Sequence, residues 1–294
     1  MLYHYSFSTR LLKTKGSDIF DVSKLEKVKD FIACHSFFKY NPISNIADPF
    51  LFVSDGKLFL FYEEQIVNRN AVIKMVSTED LLSFSKPSLV LKEPFHLSFP
   101  CVFADDGVMY MLPETGGDNS IRLYYKKDNK FIFRKKLLSG DKFVDSSIIK
   151  YGSTYYLFTT KKVNGVYNLM LYYSNSLFGE FVEHPMAPIH IGDDYGRNAG
   201  AVFSYKGFLY RPSQICSGGR YGEGVALFKI TALTQHTYTE VLSYPNILPK
   251  NNFYRYSGHQ FSFAMFNGYN VIASDAKQKA INFFDILERI VKRL

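Results

Sequence analysis

An all-β, five-bladed propeller is the fold this 294-residue sequence predicts, and three observations predict it. A hairpin pattern recurs five times: "NIADPFLFVSDGKLFLFYEE" (45–64), "FPCVFADDGVMYMLPE" (99–114), "DSSIIKYGSTYYLFTT" (145–160), "AGAVFSYKGFLYRPSQ" (199–214) and a weaker "HQFSFAMFNGYNVIAS" (259–274). Each copy turns at a glycine (Gly56, Gly107, Gly152, Gly207, Gly268), and successive glycines stand 51, 45, 55 and 61 residues apart. Further strand-like runs lie between the glycines, so each unit supplies about four strands, as a propeller blade does. A sandwich or a solenoid accounts for that period less well.

The elements follow in order. Each hairpin pairs two apolar alternating runs through a glycine that accepts positive φ without steric cost. The first unit continues with "AVIKMVST" and "PSLVLKE", the second with "SIRLYYKK" and "FIFRKKLL". The third continues with "NLMLYYSN" and "GEFVEHP", the fourth with "GVALFKIT" and "TYTEVLS". The fifth unit is short of strands after Ala273. The N-terminal segment, with "YHYSFS" and "DFIACHSFF", is expected to complete it, which gives a propeller over 1–275 with no free sheet edge where the termini meet. The tail then changes period: Ile281, Phe284, Leu287, Ile290, Val291 and Leu294 follow helical spacing. A short amphipathic helix is expected over 276–294, packed on the propeller or touching a membrane surface or a partner enzyme.

Composition narrows the class. Apolar residues make up 47% and aromatics 17%, rich in Phe and Tyr with no Trp, a profile that suits pleated sheets. The net charge is +8, yet no Lys/Arg block exceeds two residues, so the excess is spread and nucleic acid is not an expected partner. Cys34, Cys101 and Cys216 form neither an even framework nor a CxxC spacing, and each reads as a small buried hydrophobe. No continuous apolar run marks a secretory signal or a span, and a cytoplasmic location, at most peripheral to a membrane, is the expectation.

Residues at the heads of the innermost strands converge on the axis of a propeller. Here they are Asp48, Ser98/Phe99, Asp145, Asn198/Ala199 and His259/Gln260. Asp48 and Asp145 stand at matched places, and paired carboxylates facing a pocket suit sugar chemistry. A single Asp there reads equally as a turn cap. His96, Glu114, Arg197, Arg211, Gln214, Tyr221 and His259 offer hydrogen bonds to a glycan, while Phe95, Phe99, Tyr195 and Tyr210 offer aromatic faces. "GGRYGEG" (218–224) does not match a phosphate loop, and the histidines show no metal-ligand spacing, so neither metal nor cofactor is expected.

The ordered set "ADPFLF", "HLSFPCVFADDGVMYMLPE", "FVDSSIIKYGSTYYLFTT", "GRNAGAVFSYKGFLYRPSQ" and "YGEGVALFKI" resembles the N-terminal domain of glucosamine inositolphosphorylceramide transferases, a propeller family related to family 43 glycoside hydrolases. The resemblance covers about residues 45–275. It implies a general base at Asp48, in the "DP" context, and an acid-tuning carboxylate at Asp145. The hydrolases' general acid, a Glu in "EGP", is replaced here by "RNAG", with Arg197 and Asn198. Arg197 suits an anion, such as a phosphate leaving group that departs without a strong acid. Three expectations follow. The first is glycosyl transfer on a phosphosugar or nucleotide sugar in surface-polysaccharide (O-antigen type) or glycolipid synthesis, with Asp48, Asp145 and Glu114 as catalytic candidates and His96, Arg197, Asn198, Arg211, Gln214, Tyr221 and His259 on the substrate. The second is a non-catalytic glycan-binding module, since the transferase module of the plant relatives follows their propeller. The third is a glycosidase with Glu114 as acid.

Overall fold

The computed structural model describes residues 4–16, 18–33, 43–280, 286, 287, 290 and 291. Strands β1 (His4–Thr14) and β2 (Glu26–Phe31) come first in the chain and last in the ring. The first blade is β3 (Ile43–Ser54), β4 (Lys57–Ile66), β5 (Val72–Thr78) and β6 (Ser88–Leu91). The second is β7 (Ser98–Asp105), β8 (Val108–Glu114), β9 (Ser120–Lys127) and β10 (Lys130–Ser139). The third is β11 (Val144–Tyr151), β12 (Thr154–Val163), β13 (Val166–Ser174) and β14 (Val182–Glu183), with the short β15 (His190–Ile191) also on β13. The fourth is β16 (Phe203–Tyr205), β17 (Phe208–Ile215), β18 (Gly224–Leu233) and β19 (Tyr238–Tyr244). The fifth is β20 (Phe261–Phe266) and β21 (Tyr269–Ala280), continued by β1 and then β2. The five-bladed ring predicted from the glycine period is therefore the fold.

The turn glycines do what the sequence requires of them: Gly56 and Gly107 sit at φ of 70° and 74° with open space around a notional Cβ. Side chains of neighbouring blades then interdigitate. Phe50 and Phe61 of the first blade, Phe99 and Leu112 of the second and Leu157 of the third share one buried cluster. Such aromatic packing between sheets is what a Phe- and Tyr-rich chain gains from this fold.

The tail corrects one expectation. Among the described residues no α-helix forms as an element, and Ala276–Ala280 prolong strand β21. The reason is pairing: β1 runs antiparallel to β21 from His4↔Ala280 to Thr14↔Asn270, and its backbone groups need that full-length partner. Ile281, Phe284 and Leu294 lie outside the described residues, as does Cys34.

Candidate active site at the propeller axis

The innermost strands of the first three blades break register at the same point. The shift falls between Ala47 and Phe50, between Ser98 and Cys101, and between Val144 and Ser147. The bulged residues are Asp48, Phe99 and Asp145, with φ of 51°, 45° and 50°. Bulges re-aim side chains, and positive φ in non-glycine residues concentrates at functional sites. Pro49 and Pro100 follow two of them, where the ladder has no use for an N–H.

Asp48 is buried and fully engaged. Its Oδ2 accepts the Phe99 N–H at 2.9 Å, so the first blade caps the head of the second. Its Oδ1 lies 3.0 Å from His259 Nε2. On the far side of the ring, His259 Nδ1 lies 2.9 Å from Asp275 Oδ2. Asp275 also accepts the backbone N–H groups of His259 and Gln260 on Oδ1, and that of Asp48 on Oδ2 at 3.3 Å. The imidazole is thus held between two carboxylates. Burial alone would lower the His259 pKa; Asp275 and Asp48 overcome it and raise it to about 10, so the ring is an imidazolium at neutral pH. Burial likewise opposes the Asp48 charge, but His259, the Phe99 N–H and Arg197 hold its carboxyl below the ordinary value.

The other acids behave differently. Glu63 lies opposite Ala47 and Glu114 opposite Ser98, the residues before the bulges. Burial, then the nearby Asp48 charge, raises Glu63 well above the ordinary carboxyl value. Burial, then the Asp145 charge, pushes Glu114 up to about 8, against the pull of Arg197. Glu114 therefore carries a proton at pH 7. Asp145 is raised by burial too, in spite of Arg197, whose Nε donates to Asp145 Oδ2 at 2.6 Å. Gln214 donates to the same oxygen at 3.2 Å, and Asn198 donates to the Asp145 carbonyl at 2.7 Å. The Arg197 guanidinium packs on the rings of Tyr167 and Tyr221. Tyr221 and Phe7 both pack on His259, with ring centroids 4.7 and 4.5 Å apart. His96 is half exposed, with Nε2 3.6 Å from Glu63.

The axis therefore gathers Asp48, Asp145, Glu114, His96, Arg197, Asn198, Gln214, Tyr221 and His259. Arg211 lies elsewhere. It is fully buried, and its guanidinium grips Glu240 with two bonds of 2.9 and 2.6 Å, while His190 and Tyr238 bind the same carboxylate. Arg211 ties β17 to β19. Arg211→Lys keeps the charge but loses the fork, and is expected to cost about 2 kcal/mol in urea unfolding with no change in glycan affinity. Phe99 and Tyr210 are core residues, packed on Phe50 and on Phe20, and present no face to a sugar.

Asp275 and Glu63 escape the sequence reading, yet a signal for both exists. Glu63, Glu114, Gln214 and Asp275 each stand seven residues after the hairpin glycine of their blade (Gly56, Gly107, Gly207, Gly268). That position faces the axis from the second strand. Asp48, His259 and Asp275 offer donor atoms within 4.8 Å of one another, the set most able to hold a metal among the described residues. Their direct contacts are hydrogen-bond lengths, and an imidazolium cannot ligate, so the trio is complete as an ion triad.

Such an axis, with Asp48 held charged beside a protonated Glu114, defines a five-bladed propeller with an acidic, partly protonated axial cluster. Solved propellers share the fold. A family 43 α-L-arabinofuranosidase from Clostridium thermocellum superposes with a TM-score of 0.52 at 18% identity, over 76% of this chain and 80% of its own. A family 117 glycoside hydrolase from Zobellia galactanivorans gives 0.57 at 13% identity over 94% and 92%. The sequence is more specific: the family described as "Glucosamine inositolphosphorylceramide transferase 1, N-terminal" matches residues 23–260, and the chain belongs to it. The transferase of that name from Oryza sativa subsp. japonica is 36% identical over 211 residues, 68% of this chain and 28% of its own. The Arabidopsis thaliana one is 34% identical over 223 residues, 71% and 29%. The chain spans less than a third of either relative.

Proposed function

We propose that the axis handles a phosphate-linked sugar and supports glycosyl transfer to a hydroxyl acceptor in glycolipid or surface-glycan synthesis. The split of the carboxyl cluster carries this reading: Asp48, bonded to the His259 imidazolium, is held below the ordinary carboxyl value, while Glu114 is raised to about 8 and Glu63 is also raised. Asp48 takes the acceptor's hydroxyl proton as that oxygen bonds to the anomeric carbon. The bond to the leaving oxygen breaks, and its electron pair stays on the phosphate, whose charge meets the Arg197 guanidinium. Neutral Glu114 keeps a further negative charge away from that group and offers it a hydrogen bond. Arg197–Asn198 in place of a carboxyl fits an anionic leaving group. Names of the plant relatives, with their inositolphosphoryl unit, support a phosphate-linked substrate.

The test is product formation from phosphate-linked sugars and hydroxyl acceptors, followed against pH. Turnover is expected to fall as pH rises through about 8, because Glu114 then ionises beside Asp145 and the leaving group. Glu114→Gln should remove that fall. A profile flat to pH 10 in the parent protein contradicts the role of Glu114. The second reading, a binding module for a partner enzyme, is favoured by one observation, Arg197–Asn198 standing where the resemblance implies a general-acid carboxyl. Saturable glycan binding with no turnover on any donor decides for it.

A further inference from the structure

A cleft of about 940 Å³ opens at the seam between the fourth and fifth blades, against the axis. The two share walls. Tyr221 and Phe7 line the cleft and pack on His259. Lys277 lines it too, two residues beyond Asp275 on β21 and so on the same face of that strand. Ser257, two residues before His259 in the chain, lines it as well.

The lining is basic. Arg220, Lys250, Arg255 and Lys277 face a single carboxylate, Glu223, an excess of three positive charges. Glu223 serves Arg220 at 3.6 Å and Lys277 at 3.9 Å, and Lys277 also donates to the Tyr221 carbonyl. Lys250 and Arg255 are exposed, and no carboxylate pairs with either among the described residues. Tyr5 and Tyr256, in edge contact at 5.5 Å, add aromatic surface. Unpaired cations beside aromatic rings suit a phosphate joined to a ring-shaped polyol: the cations take the phosphate oxygens and the rings take the carbon face.

We propose that this cleft is a phosphate subsite. Lys250 and Arg255 hold the phosphate of a phosphate-linked sugar or polyol, and the ring extends past Tyr221 towards Asp48. The proposal rests on the sugar-handling role of the axis and adds where its ligand is anchored. The anion can come from a soluble phosphosugar or from a lipid headgroup.

The full chain is titrated by calorimetry with inositol 1-phosphate and with myo-inositol. It is also sedimented with phosphatidylcholine vesicles, with and without phosphatidylinositol. Inositol 1-phosphate is expected to bind more tightly than myo-inositol and to weaken with salt. The double variant Lys250→Ala/Arg255→Ala should weaken it about tenfold, roughly 1.4 kcal/mol, and leave myo-inositol unchanged. Tighter retention on phosphatidylinositol vesicles than inositol 1-phosphate binding accounts for supports the subsite with a lipid headgroup as source; equal binding supports it with a soluble one. Parent and double variant binding inositol 1-phosphate and vesicles alike, or the parent binding neither, overturns it. The two readings separate cleanly. Phosphate-dependent binding lost in the double variant, with no turnover on any donor, upholds the subsite and sinks the transfer reaction. Turnover lost in Asp48→Asn with phosphate affinity intact in Lys250→Ala/Arg255→Ala does the reverse.

Discussion

Asp48→Asn is expected to lower turnover by about three orders of magnitude, the range lost when a positioned proton acceptor is removed. Asparagine fills the same space, and its oxygen can still accept the Phe99 N–H that Asp48 accepts at 2.9 Å. What disappears is the charge, and with it the site that takes the acceptor proton. The fold should survive, because His259 keeps its bond to Asp275. A stability loss of about 1–3 kcal/mol is expected from the weakened contact to the imidazolium. The measurement is initial rate beside urea unfolding and ligand affinity on one preparation. A variant that turns over within about twofold of the parent removes Asp48 from the chemistry. A variant that loses activity and affinity together makes Asp48 a binding residue instead.

The position of Asp48 is legible in the sequence because the hairpin repeats: once the glycines are aligned, the residue seven to nine before each one marks the strand head. Its state is not. The Asp48–His259 contact joins the first blade to the fifth, and no local pattern shows a bond across the ring. Asp275 shows how narrow the gap was. The second and fourth hairpin copies end on Glu114 and Gln214, seven residues after their glycines, while the fifth copy ends at Ser274, one residue before Asp275. Arg211 failed for a related reason. Alternation along β17 tells which face a side chain takes, but its partner Glu240 arrives through β19, after two further strand pairings. The helix expected over 276–294 gives way at its start because long-range pairing with β1, which no local spacing shows, makes Ala276–Ala280 strand. Proton states at the axis depend on distances between blades, which only the closed ring sets.

His259→Gln is expected to cost about 3–5 kcal/mol, the penalty for breaking a buried ion pair and leaving its partners uncompensated. Asp48 and Asp275 both face the imidazolium, at 3.0 and 2.9 Å, and a neutral amide can donate to only part of that charge. The pH dependence gives the stronger check. The His259 pKa is about 10 in the folded protein against an ordinary 6.5. A raised value means the folded state binds the proton more tightly, so the stabilisation is fully present below pH 6.5 and is lost as pH rises through about 10. Glu114, raised to about 8 from 4.5, works in the same direction over its own window. The parent protein should therefore lose stability steadily from pH 7 to 10. His259→Gln should begin lower and fall less over that range, retaining only the slope owed to the carboxyls. Urea unfolding at several pH values measures both. If the variant keeps the parent's slope, the imidazole is neutral in the fold, and the ion triad that keeps Asp48 charged does not exist.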